Sequence, residues 1–168
     1  YGNCQMFDSF QRNGRLILCK RTIDEMRKLP ESEWDICAGS LPVYYLFPNI
    51  IFMPTQEGAF LVKEYPAENS PHKSYSKISF YFYPHVLKQL KELEKTGIDG
   101  KQLLEDQYGG FASVIRDEDY VAAASSHKGL RSGNIDYLTF GKNEPALHHY
   151  HNTYREALGM QSLPLEEA

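Results

Sequence analysis

The sequence predicts an α+β fold in which a curved antiparallel β-sheet packs on a long C-terminal helix. The first observation is the alternation along residues 73–83, where tyrosine and polar side chains alternate with Ile and Phe at the period of two expected of a strand with one face on a core. The second is the amphipathic pattern of residues 145–158, whose apolar side chains recur three and four positions apart. The chain divides at about residue 96 into a strand-rich first part and a helix-rich second part.

The first half contains short strand candidates bounded by Pro, Gly and Asn. Residues 14–20 predict a strand, and residues 22–28 predict a brief helix that ends before Pro30, because the proline ring disfavours helix just before it. The pattern after Pro30 stays ambiguous up to Ala38. Three further β-branched or aromatic segments predict antiparallel strands: residues 43–47, 50–53 and 59–65.

The second half is predicted to be helical. Asn143 is expected to cap the last helix, because its side chain can accept from the amides of the first turn while Pro145 has no amide to satisfy. Gly159 falls where a left-handed C-terminal cap is expected. Upstream, three segments have helical periodicity: residues 85–95, 101–107 and 111–126.

Length and composition predict one globular domain over residues 1–168, with 42% hydrophobic and 24% charged residues. The net charge of −4 leaves no basic footprint, so we expect neither nucleic acid nor a membrane surface as a partner. No apolar run approaches the ~20 residues that a membrane-spanning helix requires.

The three cysteines are Cys4, Cys19 and Cys37. Their odd number, their wide spacing and the lack of a Cys-x-x-Cys motif argue against a disulfide framework and a thiolate metal site. We therefore interpret them as thiols and expect a reducing, cytoplasmic location.

Three consecutive acids, Asp117, Glu118 and Asp119, interrupt an otherwise amphipathic helical pattern. At helical spacing Asp119 shares a face with Ile115 and Ala122, where an ionised carboxylate needs an ion pair, hydrogen bonds or a metal. The alternative is a solvated acidic face that pairs with a neighbouring Arg or Lys.

The surrounding stretch resembles the C-terminal part of the catalytic domain of Rieske non-haem iron ring-hydroxylating oxygenases, alpha (large) subunit. The resemblance rests on a Glu-Asp pair at 118–119, a His-Lys-Gly-Leu-Arg-Ser turn at 127–132, and a His-Tyr-His run at 149–151. Upstream, Leu-Phe-Pro-Asn at 46–49 is similar to a strand of the family. The sequence departs from the family in having His127 where Gln is usual and Tyr where Phe is common.

The resemblance implies a helix-grip, START-like fold and a mononuclear Fe(II) bound by two histidines and one carboxylate. It assigns Asp119 as the iron ligand and catalytic residue, with Asp117 as the alternative. None of the six histidines has the spacing or the early position of the family's His pair, and no Cys-x-His motif of a [2Fe–2S] cluster occurs. We therefore expect these ligands outside residues 1–168 and interpret the chain as part of an oxygenase that is not competent alone.

Two groups of residues have competing interpretations. His148 and His151 have a metal-ligand spacing, but packing of the last helix explains them better, and His127 fits a helix end or a pocket. The aromatic residues of the strands can fill a core or line a cavity. The resemblance favours three residues near Asp119 as substrate-pocket lining: Phe111, Ile115 and Ala122.

The resemblance also implies the reaction and its partners. The parent oxygenase would insert oxygen from O2 into an apolar or aromatic substrate, receive electrons from ferredoxin or reductase donors, and assemble as a homotrimer. The alternative hypothesis is a non-catalytic helix-grip module that binds an apolar small molecule.

Overall fold

The computed structural model describes residues 4–135 and 137–164. These residues form two compact units. The first holds the described residues up to Phe82 together with those from Phe140 onward, and the second is Tyr83–Thr139. The α+β class predicted from the sequence is confirmed.

A curved six-stranded antiparallel sheet builds the first unit. The strands follow one another across the sheet in chain order, so each pairs with its sequence neighbour. The predicted strands are confirmed, with somewhat longer bounds for most of them. The strands are β1 (Gln5–Phe10), β2 (Asn13–Cys19), β3 (Ser40–Leu46), β4 (Ile50–Pro54), β5 (Gly58–Ala67) and β6 (Ser70–Phe82).

The centre of the sheet carries its best-buried side chains. Phe60 and Val62 on β5 point to the same face, since they are two positions apart, and both are buried. Phe60 lies opposite Phe80 of β6, and their ring centroids are 4.6 Å apart in an edge-to-face arrangement. This alternation matches the period that predicted the strands.

Two short helices connect β2 to β3: α1 (Ile23–Met26) and α2 (Ile36–Gly39). The segment that was ambiguous in sequence forms a 3-10 turn, Glu31–Glu33, and then α2. Asp35 begins α2, because its side chain accepts a hydrogen bond of 2.8 Å from the Cys37 amide.

The last helix, α6 (Pro145–Ala157), packs on the sheet as predicted. Its contacts include Tyr150 with Tyr45, whose ring centroids are 4.9 Å apart, and Tyr154 with Phe47 at 5.3 Å. Gly159 follows the helix with a φ of +67°, which confirms the predicted left-handed cap.

The predicted cap at the start of α6 is wrong. Glu144, rather than Asn143, is the residue that precedes the first helical position, and neither side chain caps the helix amides. The Glu144 carboxylate instead accepts a 2.6 Å hydrogen bond from the Gly141 amide. The turn before the helix therefore uses the acid, because its longer side chain reaches back to the preceding backbone.

The second unit is helical and contains α3 (Pro84–Lys95), α4 (Gly100–Val114) and α5 (Tyr120–Arg131). The segment predicted as a helix over 111–126 is helical throughout, but a π-helical turn, Ile115–Asp119, interrupts its α-helical hydrogen bonding between α4 and α5. The predicted short helix at 101–107 is the first part of α4. Among the described residues, no helix is long and apolar enough to cross a membrane.

Candidate functional site

The acidic run of the sequence forms the π turn between α4 and α5. A π turn closes its hydrogen bonds over five residues instead of four, so it is wider than an α-turn and occurs frequently at functional sites. Arg116, Asp117, Glu118 and Asp119 are all exposed there. The turn therefore presents its carboxylates to solvent and not to the apolar face predicted from α-helical spacing.

Asp117 uses both of its carboxylate oxygens to bind Arg116. The Arg116 Nε donates to Oδ1 at 2.6 Å, and an Nη donates to Oδ2 at 2.8 Å. These hydrogen bonds, more than the charge itself, hold the pKa of the Asp117 carboxyl below its usual range. Asp117 is thus the acid that forms the ion pair foreseen by the solvated-face alternative.

Asp119 differs from Asp117 in its surroundings. It is the last residue of the π turn and stands directly before α5. Within residues 4–135 and 137–164, no hydrogen bond or ion pair engages its carboxylate, which also does not cap α5. Asp119 therefore keeps both oxygens available for a ligand, whereas those of Asp117 are occupied.

The three predicted pocket residues lie along the same stretch of the second unit. Phe111 is on α4, Ile115 begins the π turn and Ala122 is in the first turn of α5. Ile115 is half-buried and the other two are exposed. Their role as pocket lining stays a prediction.

The histidines of α6 pack in the first unit, as the sequence favoured. His149 Nε2 lies 3.0 Å from the Asn13 carbonyl oxygen, and its ring contacts Phe7 at 5.7 Å. His151 stacks on Phe140 at 4.9 Å, and His148 meets the edge of the same ring at 5.6 Å. Nowhere in the described parts of the chain do three or more His, Cys, Asp or Glu side chains come together as a metal site. His127 is half-buried on α5.

A cleft of about 440 Å³ opens in the first unit between α6 and the ends of β3, β4 and β5. The sequence predicts that the aromatic residues of the strands fill a core or line a cavity, but it does not show that Tyr45 shares a cleft with Tyr150, because the two come from distant parts of the chain. The lining is mainly aromatic and aliphatic: Tyr45, Pro48, Asn49, Ile51, Glu64, Tyr65, Pro66, Ser74, Tyr150 and Tyr154.

Tyrosine hydroxyls meet the backbone at the mouth of this cleft. Tyr45 donates a 2.8 Å hydrogen bond to the Pro48 carbonyl oxygen, and Tyr154 donates to the same oxygen. Burial raises the pKa of Tyr45 well above its usual value, and burial also raises the pKa of Tyr150 to about 12. The phenols are therefore neutral hydrogen-bonding groups at ordinary pH.

A comparison with protein-family profiles matches residues 2–160 to the ring hydroxylating alpha subunit (catalytic domain). The chain belongs to this family. The match extends over nearly the whole sequence and confirms the resemblance drawn from the Glu-Asp pair, the Gly-Leu turn and the Leu-Phe-Pro-Asn strand. No curated protein and no solved structure matches the chain.

Membership in the ring-hydroxylating family implies an iron-dependent oxygenase that uses O2, an aromatic substrate and electron-transfer partners. The described residues of this ring-hydroxylating domain offer Asp119 as one available carboxylate but no set of three ligands. One oxygen donor does not make a facial triad.

Proposed function

We propose that this chain is a catalytic part of the oxygenase component of a Rieske-type system, and that Asp119 is its carboxylate ligand to a mononuclear Fe(II). The parent enzyme would insert oxygen from O2 into an apolar or aromatic substrate. The observation that carries the assignment is the unengaged Asp119 carboxylate at the end of the π turn, beside an Asp117 that Arg116 already occupies.

The difference between the two aspartates has a physical basis. Binding iron at Asp117 would require breaking two hydrogen bonds to a guanidinium, which are among the stronger side-chain interactions. Binding at Asp119 breaks no such bond, since the carboxylate is exposed and makes no hydrogen bond or ion pair in the described parts of the chain. The hydrogen bonding of the turn therefore supports Asp119, rather than Asp117, as the proposed iron ligand.

The other residues of this stretch have proposed roles in substrate binding. Phe111, Ile115 and Ala122 would contribute apolar surface near Asp119, which suits an aromatic substrate. Two histidine ligands and a [2Fe–2S] cluster would come from residues other than those of this chain, and a ferredoxin or reductase would deliver the electrons. A homotrimer is the proposed assembly of the parent enzyme.

Three adjacent acids allow a matched test in the protein expressed from its complete gene. Asp119→Asn should remove most of the mononuclear iron. Elemental analysis measures the total iron, and an unchanged cluster absorbance shows that the [2Fe–2S] iron is retained. Asp117→Asn and Glu118→Gln remove the same charge two residues and one residue away, respectively, and should retain the iron. Full iron content in Asp119→Asn would exclude it as a ligand, and selective loss in Asp117→Asn would transfer the role to Asp117.

A second candidate function rests on the cleft of the first unit, which is large enough for a small aromatic molecule. In this case the chain is a binding module that holds an apolar ligand without chemistry. Native mass spectrometry of the purified chain would show a bound apolar molecule that Tyr150→Ala loses. Iron-dependent product formation by the protein from the complete gene would instead exclude a purely binding role.

A further inference from the structure

Two cysteines lie directly opposite each other at the start of the sheet. The β1–β2 register pairs Gln5 with Leu18, and its continuation by one residue pairs Cys4 with Cys19. The Cys19 amide donates a 3.2 Å hydrogen bond to the Cys4 carbonyl oxygen, so the pair belongs to the hydrogen-bonded class of an antiparallel ladder. Both are free thiols.

We propose that Cys4 and Cys19 form a reversible cross-strand disulfide, which makes the β1–β2 hairpin a site of oxidative modification. The Cα atoms of a hydrogen-bonded antiparallel pair lie about 5.5 Å apart, within the range of roughly 4.4–6.8 Å that disulfides require. The register already places the two residues opposite each other, so neither strand has to slide, and a local adjustment of the pair brings the Cβ atoms to the roughly 3.5–4.5 Å that a disulfide requires. The sequence alone did not indicate this pair, because Cys4 and Cys19 have no motif spacing.

The two thiols differ in exposure, which assigns them different roles. Cys4 is exposed and accessible to an oxidant, whereas Cys19 is buried. Burial raises the pKa of the Cys19 thiol, and the neighbouring Cys4 raises it further. Cys4 is therefore the thiol that is oxidised first, and Cys19 is the resolving thiol.

Hydrogen peroxide is an oxidant that completes the reaction. The Cys4 thiolate attacks one peroxide oxygen, the O–O bond breaks, and Cys4 becomes a sulfenic acid with release of hydroxide, which the thiol proton converts to water. The Cys19 sulfur then attacks the sulfenic sulfur, loses its proton and forms the S–S bond as a second water leaves. Two thiols and one peroxide thus give one disulfide and two waters.

The bond would act on the part of the sheet that supports α6. β1 is an end strand of the sheet with one neighbour, β2, and Phe7 on β1 contacts His149 of α6. A covalent link at the open end of the hairpin restrains fraying of β1, because a disulfide lowers the entropy of the opened chain. Oxidation would therefore restrain the fraying of β1 at its contact with the helix, and reduction would remove that restraint.

The test uses the purified chain, hydrogen peroxide and mass spectrometry after alkylation of the remaining thiols. Formation of the disulfide lowers the mass by about 2 Da, and a phosphine reductant restores it. Trypsin places each cysteine in a different peptide, residues 1–12, 16–20 and 29–63, so the linked pair is identified directly. Cys37→Ser is the matched control, because Cys37 lies apart on α2.

The expected result is a linkage between the first two peptides in the native chain and in Cys37→Ser, and none in Cys4→Ser or Cys19→Ser. Amide hydrogen exchange of β1 should become slower on oxidation, while that of β6 at the other end of the sheet stays unchanged. Three free thiols after oxidation, a linkage to Cys37 or a dimer linked between chains would overturn the site. Unchanged exchange of β1 in the linked chain would overturn its role as a restraint.

Discussion

His149 joins the C-terminal helix to the first hairpin of the sheet through a 3.0 Å hydrogen bond between its Nε2 and the carbonyl oxygen of Asn13, across 136 residues of sequence. Because a carbonyl oxygen only accepts, the Nε2 nitrogen carries the proton in this contact. The same ring contacts Phe7 of β1. One side chain thus connects α6 to both strands of the hairpin.

Substitution His149→Ala should destabilise the chain. We expect a loss of about 1–2 kcal/mol of unfolding free energy, because a half-buried hydrogen bond and a ring contact disappear together. Urea unfolding measures the change as a lower midpoint at constant slope. His85→Ala on the exposed side of α3 is the control, with an expected change within about 0.5 kcal/mol. Equal effects of the two variants would contradict the role of His149.

Phe60 should be among the most sensitive core positions, since it is 3% exposed and packs on Phe80. Phe60→Ala removes a large buried ring and leaves a cavity, for which we expect a loss of about 3–5 kcal/mol. Phe10 on β1 is 46% exposed, so Phe10→Ala should cost no more than about 1 kcal/mol. Thermal unfolding of both variants checks the ranking, and a smaller loss at Phe60 than at Phe10 would refute it.

Substitution by Ala should have opposite effects on stability at Gly58 and at Gly109. A Cβ at Gly58 would lie 1.9 Å from the Tyr81 carbonyl oxygen, so Gly58→Ala must separate β5 from β6 locally. We expect a loss of about 3 kcal/mol or more from this overpacking. A Cβ at Gly109 on α4 meets nothing within 4 Å, so Gly109→Ala should gain about 0.5–1 kcal/mol of stability. Denaturant unfolding measures whether the free energy of unfolding falls in Gly58→Ala and rises in Gly109→Ala.

Stability should decrease with rising pH in the alkaline range because of Tyr150. Its pKa is raised to about 12 in the folded chain, mainly by burial, against about 10 in the unfolded chain. Below pH 10 both states are neutral; between pH 10 and 12 the unfolded state loses its proton first, so the free energy of unfolding falls.

The expected contribution of Tyr150 is about 1 kcal/mol, after a discount for solvent screening of its half-exposed ring. Tyr150→Phe should therefore make the decline in stability between pH 10 and 12 shallower, with the remaining decline contributed by Tyr45, whose pKa burial also raises, and below pH 9 the two profiles should run parallel. Urea unfolding at a series of pH values measures both. Identical alkaline slopes for the two proteins would rule out the Tyr150 contribution.

The local periodicity of side chains was sufficient to predict most of the secondary structure. The strict alternation before Tyr83 and the apolar stripe of the last helix depend only on residues close in sequence, so the sequence alone predicts these elements. β1 was missed because nearly all of its residues are exposed, which removes the alternation that marks a strand. The π turn was not predicted because the spacing of its residues is equally compatible with a continuous α-helix.

The sequence by itself determined the fold class, the family and the acidic run that contains Asp119, since each depends on residue order and spacing. The sequence left open which of the acids pairs with a neighbouring Arg or Lys, and the structure shows that Arg116 binds Asp117 and leaves Asp119 available. Only the tertiary structure brought Tyr45 to Tyr150 and Cys4 to Cys19. The physical reason is that strand register and helix packing place distant residues side by side, and no local pattern carries that information.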